Sequence, residues 1–114
     1  MRKHILLFLF LFSLILVGCS GPGKYDGFAQ CLTENDAVMY GTDWCKYCQN
    51  QKEIFGKSFQ YVTYINCDNS KFACDEAGVT GYPLWVIDGK SYGGVQQLYK
   101  LAQLTSCSLE GSIE

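Results

Sequence analysis

Along the 114-residue chain the spacing of apolar positions changes several times, and each change marks an element. Ile5 to Val17 is an apolar run broken only by Ser13. Beyond it the pattern alternates. Phe28 to Asn35 is spaced for a short helix, and "AVMY" (Ala37 to Tyr40) for a short buried strand. Lys46 to Phe55 predicts a helix, and "FQYVTYIN" (Phe59 to Asn66), dense in aromatic and β-branched residues, predicts a strand. Ser70 to Ala77 predicts a short helix stopped by Gly78. "LWVI" (Leu84 to Ile87) predicts a strand, with Asp88-Gly89 as a type I′ turn into a returning strand from Lys90. Val95 to Leu104 predicts a last helix, with Val95, Leu98 and Ala102 on one face and Leu101 and Leu104 beside it. Strand, helix, strand, helix, hairpin, helix is the order of an α/β domain, a central mixed β-sheet flanked by helices.

The first apolar run follows Arg2, Lys3 and His4, the pattern of an export signal. It ends in "LVGC", Leu16 to Cys19, which resembles the lipobox of prokaryotic lipoproteins. That resemblance implies cleavage after Gly18 and lipid attachment to Cys19, with an ordinary signal peptide or a membrane anchor as the other readings. Ser20 to Gly27 has no apolar period and reads as a tether. The expected organisation is therefore a signal segment 1–18, a lipidated cysteine and tether 19–27, one domain 28–107 and a tail 108–114. The expected location is extracytoplasmic, held to a membrane by lipid.

Charge removes other classes. Without residues 1–18 the chain has 7 Lys plus Arg against 11 Asp plus Glu, and no basic stripe for nucleic acid. Its one histidine, His4, lies in the signal segment. The domain thus has no imidazole for a nucleophilic pair, a general base or a histidine zinc site.

Chemistry falls to cysteine. Besides Cys19 there are six, Cys31, Cys45, Cys48, Cys67, Cys74 and Cys107, an even count that suits a disulfide-permissive compartment and allows fifteen pairings. In "TDWCKYCQNQKEIF", Cys45 and Cys48 stand at the start of the predicted Lys46–Phe55 helix. A thiol attacks only as thiolate, and the unpaired N–H groups of a helix N-terminus favour that form. Cys45 is therefore the expected attacking thiol. Cys48, one turn further in and less exposed, is the expected resolving thiol.

"MYGTDWCKYC" followed downstream by "GVTGYPLWVIDGKSYGG" resembles the thioredoxin superfamily. The wording "FAQCLTENDAVMYGTDWC" and "CQNQKEIFG" is most similar to the thioredoxin-like domain of prokaryotic vitamin K epoxide reductase homologues. The likeness runs from about Phe28 to Leu104. It implies a thioredoxin-like fold and a protein disulfide oxidoreductase without a dissociable cofactor. It also implies a cis Tyr82-Pro83 bond facing the cysteine pair, with backbone groups free to hold a substrate chain. The implied partners are exported cysteine-containing proteins and a membrane redox partner of the vitamin K epoxide reductase type. From the residues alone, Pro83 is a proline at the start of a strand.

Three positions depart from the family. Where many thioredoxins carry a buried carboxylate, six residues before the first cysteine, this chain has Met39. Asp43 is nearer and is expected to face solvent. Between the cysteines stand Lys46 and Tyr47, which match neither reducing thioredoxins nor the histidine-bearing oxidants, so the motif does not give the direction of electron flow. Oxidation or isomerisation is the favoured reading, and a reductase for cytochrome maturation or repair the alternative.

Cys67 and Cys74 are read as a structural staple, worth about 2 to 3 kcal/mol through the unfolded chain, or as a second redox pair. Cys31 and Cys107 either tie the first segment to the last helix or remain thiols. Rival readings put zinc on Cys45, Cys48, Cys67 and Cys74, or a soft metal on Cys45 and Cys48, or make the protein a stapled surface module. The favoured reading has no metal. Trp44 and Tyr82 flank the pair and are candidates for an apolar collar around substrate, with core packing as the plainer role.

Overall fold

Met39 and Trp85 stand opposite each other on neighbouring strands, both without solvent exposure, and the core is built around them. The computed structural model describes residues 21–109, so the expected signal segment, Cys19 and residues 110–114 lie outside it. The elements are α1 (Asp26–Glu34), β1 (Val38–Gly41), α2 (Lys46–Phe55), a 3-10 helix (Gly56–Tyr61), β2 (Thr63–Asn66), α3 (Lys71–Glu76), β3 (Leu84–Ile87), β4 (Lys90–Gly93) and α4 (Leu98–Thr105). The four strands form one sheet in the order β2-β1-β3-β4. β1 runs parallel to β2 and antiparallel to β3, and β3 runs antiparallel to β4. The expected α/β architecture, a mixed sheet flanked by helices, is the one observed.

Alternation explains which side chains enter the core. In β1 and β3 every second residue is buried, which is the period of a strand, so Met39, Trp85 and Ile87 point one way. Phe28, Ala29 and Leu32 give α1 its buried stripe. Phe28 stacks on Phe55 at 6.3 Å between ring centroids, and Phe55 lies 6.0 Å from Trp85. Asp88 and Gly89, at φ 52° and 73°, make the expected two-residue hairpin turn between β3 and β4.

Three boundaries differ from the expectation. Phe59 to Tyr61 belongs to the 3-10 helix and not to β2, which starts at Thr63. The aromatic residues that suggested a strand pack sideways here, Phe59 against Phe55 at 5.9 Å and against Tyr64 at 5.7 Å. The last helix begins at Leu98, because the backbone of Gln96 is engaged by Gln51: its N–H donates to Gln51 Oε1 at 2.7 Å and its carbonyl accepts from Gln51 Nε2 at 2.9 Å. Within the stretch expected as a tether, Asp26 opens α1, and Gly23 and Tyr25 are fastened to the domain. Gly23 N–H donates to Asp26 at 2.9 Å, Tyr25 N–H to the buried Ser58 hydroxyl at 2.7 Å, and that hydroxyl to Asp26 at 2.8 Å.

Two disulfides brace this frame. Cys31 to Cys107 joins α1 to the segment just past α4, and Cys67 to Cys74 joins the end of β2 to α3. Among the described residues no helix is long and apolar enough to cross a membrane.

Candidate active site

β1 ends at Gly41, and the chain turns through Thr42, Asp43 and Trp44 into α2. Cys45 is the residue that caps this helix. Its backbone is extended, and its sulfur accepts the Cys48 N–H at 3.3 Å, in the place where a serine or aspartate oxygen commonly sits. The sulfur thus sits at the positive end of α2. Cys45 and Cys48 are free thiols, whereas Cys31, Cys67, Cys74 and Cys107 are all spent in disulfides.

The two thiols have different surroundings. Cys45 is 8% exposed and Cys48 is not exposed at all. Burial pushes the Cys48 thiol up to about 11, and the hydrogen bond and charge of Cys45 push the same way. A backbone hydrogen bond from Thr42 and the charge of Lys52 oppose them. The residue six before Cys45, Met39, is fully buried and supplies no charge.

Tyr82-Pro83 is a cis peptide bond, and the Tyr82 carbonyl lies 3.8 Å from the Cys45 sulfur as its hydrogen-bond acceptor. Pro83 is buried, while Tyr82 is partly open. Trp44 meets Tyr82 edge to face at 6.1 Å, is 68% exposed, and its indole N–H donates to Asp68 at 2.8 Å. The structure therefore brings Trp44, Cys45, Tyr82 and Pro83 together at one mouth. An open groove of about 750 Å³ leads away from it, lined among others by Tyr47, Ile54, Tyr82 and Val95.

Cys67 and Cys74 stand apart in chemistry. Bonded to each other, they have no thiolates to give a metal, which overturns the four-cysteine zinc reading. Their loop is tied to the site by structure: Cys67 N–H donates to the Gly41 carbonyl at 2.8 Å, and Asp68 holds Trp44.

Sequence reasoning missed three residues here, Gly41, Lys52 and Tyr64, and gave Asp43 only as solvent-facing. Gly41 lies against the Cys48 sulfur so closely that a Cβ on it would come within 2.7 Å. Asp43, exposed as expected, accepts from Lys52 Nζ at 3.2 Å and from the Tyr64 hydroxyl at 3.0 Å. Both bonds hold the Asp43 carboxyl below its usual range. Burial and the Asp43 carboxylate hold the Tyr64 phenol well above its own. One signal was available: Lys52 is four residues after Cys48, the spacing of neighbours on a helix.

No family model matches the chain. It is 34% identical over 95 residues to the thiol-disulfide oxidoreductase LTO1 of Arabidopsis thaliana, across 75% of this chain and 25% of that protein. It is 31% identical over 90 residues to the thioredoxin domain-containing protein 5 homolog of Drosophila melanogaster, across 67% of this chain and 22% of that protein. The chain thus spans a quarter or less of the length of these curated relatives. Among solved structures, thioredoxin of Fasciola hepatica superposes with a TM-score of 0.46 at 21% identity, over 68% of this chain and 88% of that one. Two free thiols stand at the mouth of α2, and over most of its length the chain is similar to part of a protein named for thiol–disulfide exchange and part of one named for a thioredoxin domain.

Proposed function

We propose that the protein is a thiol–disulfide oxidoreductase that oxidises or isomerises exported cysteine-containing proteins while anchored to a membrane through a lipid on Cys19. The observation that carries the chemistry is the asymmetry of the pair: Cys45 caps α2 at the open mouth, and Cys48 is buried behind it with its proton held to about 11.

Starting from an oxidised Cys45–Cys48 pair, a substrate thiolate attacks the Cys45 sulfur. The intramolecular bond breaks and Cys48 leaves as thiolate, then takes up a proton. A mixed disulfide now joins Cys45 to the substrate. The substrate's second thiol loses its proton and attacks the substrate's first sulfur in that bond, forming the substrate disulfide and displacing Cys45 as thiolate. The substrate has lost two electrons and the pair has gained them. A membrane disulfide carrier of the vitamin K epoxide reductase type takes them away in the next turn. Tyr82 and Trp44 border the approach and Pro83 closes it from beneath, so an extended, apolar stretch of unfolded substrate suits the mouth.

Oxidation is favoured over reduction by the sequence resemblance and by the apolar Met39 in place of a carboxylate that would assist Cys48. The deciding experiment is the equilibrium reduction potential of Cys45–Cys48 in glutathione buffers, read by thiol trapping and mass. A value near about −120 to −180 mV supports this reading, and one near about −270 mV makes the protein a reductase. Absence of any reversible couple removes the enzyme reading altogether.

A further inference from the structure

Cys48 presents a difficulty to any exchange reaction. It must pass through a thiolate in a buried place, and the carboxylate position beneath the pair is filled by Met39. A held cation stands on the helix itself, and its charge opposes the rise of the Cys48 thiol. Lys52 follows Cys48 by four residues and so lies on the same side of α2. Lysine on an open surface samples many rotamers, but this one is only 28% exposed and is held from two directions. Its Nζ lies 3.2 Å from Asp43 Oδ1 and 4.1 Å from the centre of the Tyr64 ring, and the Tyr64 hydroxyl bonds the same carboxylate oxygen at 3.0 Å. The Tyr64 ring in turn borders Cys48. Its Cε2 lies 3.4 Å, and the Cys48 sulfur 2.7 Å, from the point where a side chain on Gly41 would begin.

We infer that Lys52, fixed by Asp43 and Tyr64, is the positioning residue that stabilises the Cys48 thiolate, replacing a buried carboxylate with a held cation. The inference rests on the exchange reaction proposed above. The groups facing Cys48 are Cys45 and Lys52 from α2, the Thr42 backbone from the turn before it, and Tyr64 from β2, with Asp43 and Asp68 behind Tyr64. Of these, Lys52 alone is a cation. Asp43 is 70% exposed, so water screens its charge more than that of Lys52. In the resolving step Cys48 gives its proton to solvent and its thiolate attacks the Cys45 sulfur. The bond from Cys45 to the substrate sulfur breaks, and the substrate leaves as thiolate. In the opposite direction the same cation steadies Cys48 as the leaving group.

The test uses the full chain carrying Cys19→Ser, with the Cys45–Cys48 pair reduced and the Cys31–Cys107 and Cys67–Cys74 bonds left intact, and the chromogenic disulfide dithiobis(nitrobenzoate). Attack by Cys45 releases one nitrothiobenzoate, and resolution by Cys48 releases a second, so the two steps appear as two phases. In Lys52→Met, which keeps the apolar stem, the second phase is expected to slow by about three- to tenfold near neutral pH, and its pH midpoint to rise. Lys52→Arg is expected to restore both, and Tyr64→Phe, which loses only the bond to Asp43, to give a smaller shift in the same direction. An unchanged second phase in Lys52→Met overturns the inference, as does an Arg variant no faster than the Met variant. A wild-type chain that releases only one equivalent defeats the exchange reading itself and takes this inference with it.

Discussion

The sulfur of Cys48 occupies the space that a side chain on Gly41 would take, since a Cβ there would lie 2.7 Å from it. β1 can therefore pass beneath the buried thiol only because it ends in glycine. In Gly41→Ala the sulfur or the strand must shift, and overpacking of this kind costs about 1 to 3 kcal/mol. The expected result is a lower urea midpoint with an unchanged slope, measured by tryptophan fluorescence.

Gln51 holds the far side of α2. Its Oε1 accepts from the Trp85 indole at 3.0 Å as well as from Gln96, and it is wholly buried. Gln51→Leu fits the volume and leaves the Trp85 N–H and both backbone groups of Gln96 without these partners. A loss of about 2 to 4 kcal/mol is expected in denaturant unfolding, whereas Gln49→Leu, on the exposed side of the same helix, should change stability by less than about 0.5 kcal/mol.

Removing the disulfides should separate them by loop size. Cys31 and Cys107 are 76 residues apart, and Cys67 and Cys74 are 7 apart. On chain entropy the long bridge contributes about 4 to 5 kcal/mol and the short one about 2 to 3 kcal/mol. The paired alanine variants, compared by urea unfolding, should rank in that order. The Cys67→Ala, Cys74→Ala variant should still exchange at Cys45 and Cys48, and its loss of turnover would indicate an electron relay.

Stability of the reduced protein should fall in alkali because of Cys48. The folded chain keeps that proton to about 11 and the unfolded chain releases it near 9.0. Between these values the unfolded state holds fewer protons, so stability declines as pH rises. Reduced Cys48→Ala lacks this contribution, and the difference between the two unfolding curves from pH 9 to 11 measures it. Tyr64 titrates in both proteins, and only the part of its shift that comes from the Cys48 charge differs between them.

Much of this was written in local pattern. The short apolar runs around Met39 and Trp85 marked the central strands, Asp88-Gly89 marked the hairpin, and the two cysteines before Lys46–Phe55 marked the mouth of α2. Local pattern failed where distant partners decide conformation. Phe59 and Tyr61 carry strand-like side chains, but Phe55 and Tyr64 draw Phe59 into a helical turn. Val95 and Gln96 fit a helical period, yet Gln51, far back in the chain, binds the backbone that a helix would need. The cluster around Lys52 was equally hidden, because Asp43 and Tyr64 meet only once β1 and β2 lie side by side. Disulfide pairing is of the same kind, being a property of three-dimensional proximity.

The bridge from Cys31 to Cys107 also decides how the domain bears load. Tension applied to the two ends of the described chain runs through residues 21–31, crosses one covalent bond, and leaves through residues 107–109. The sheet, α2 and both thiols lie on the slack side of that path. A protein tugged between a surface and a partner can thus be pulled taut without its strands being peeled apart, and the spacing at Cys45 is mechanically insulated from whatever holds the ends.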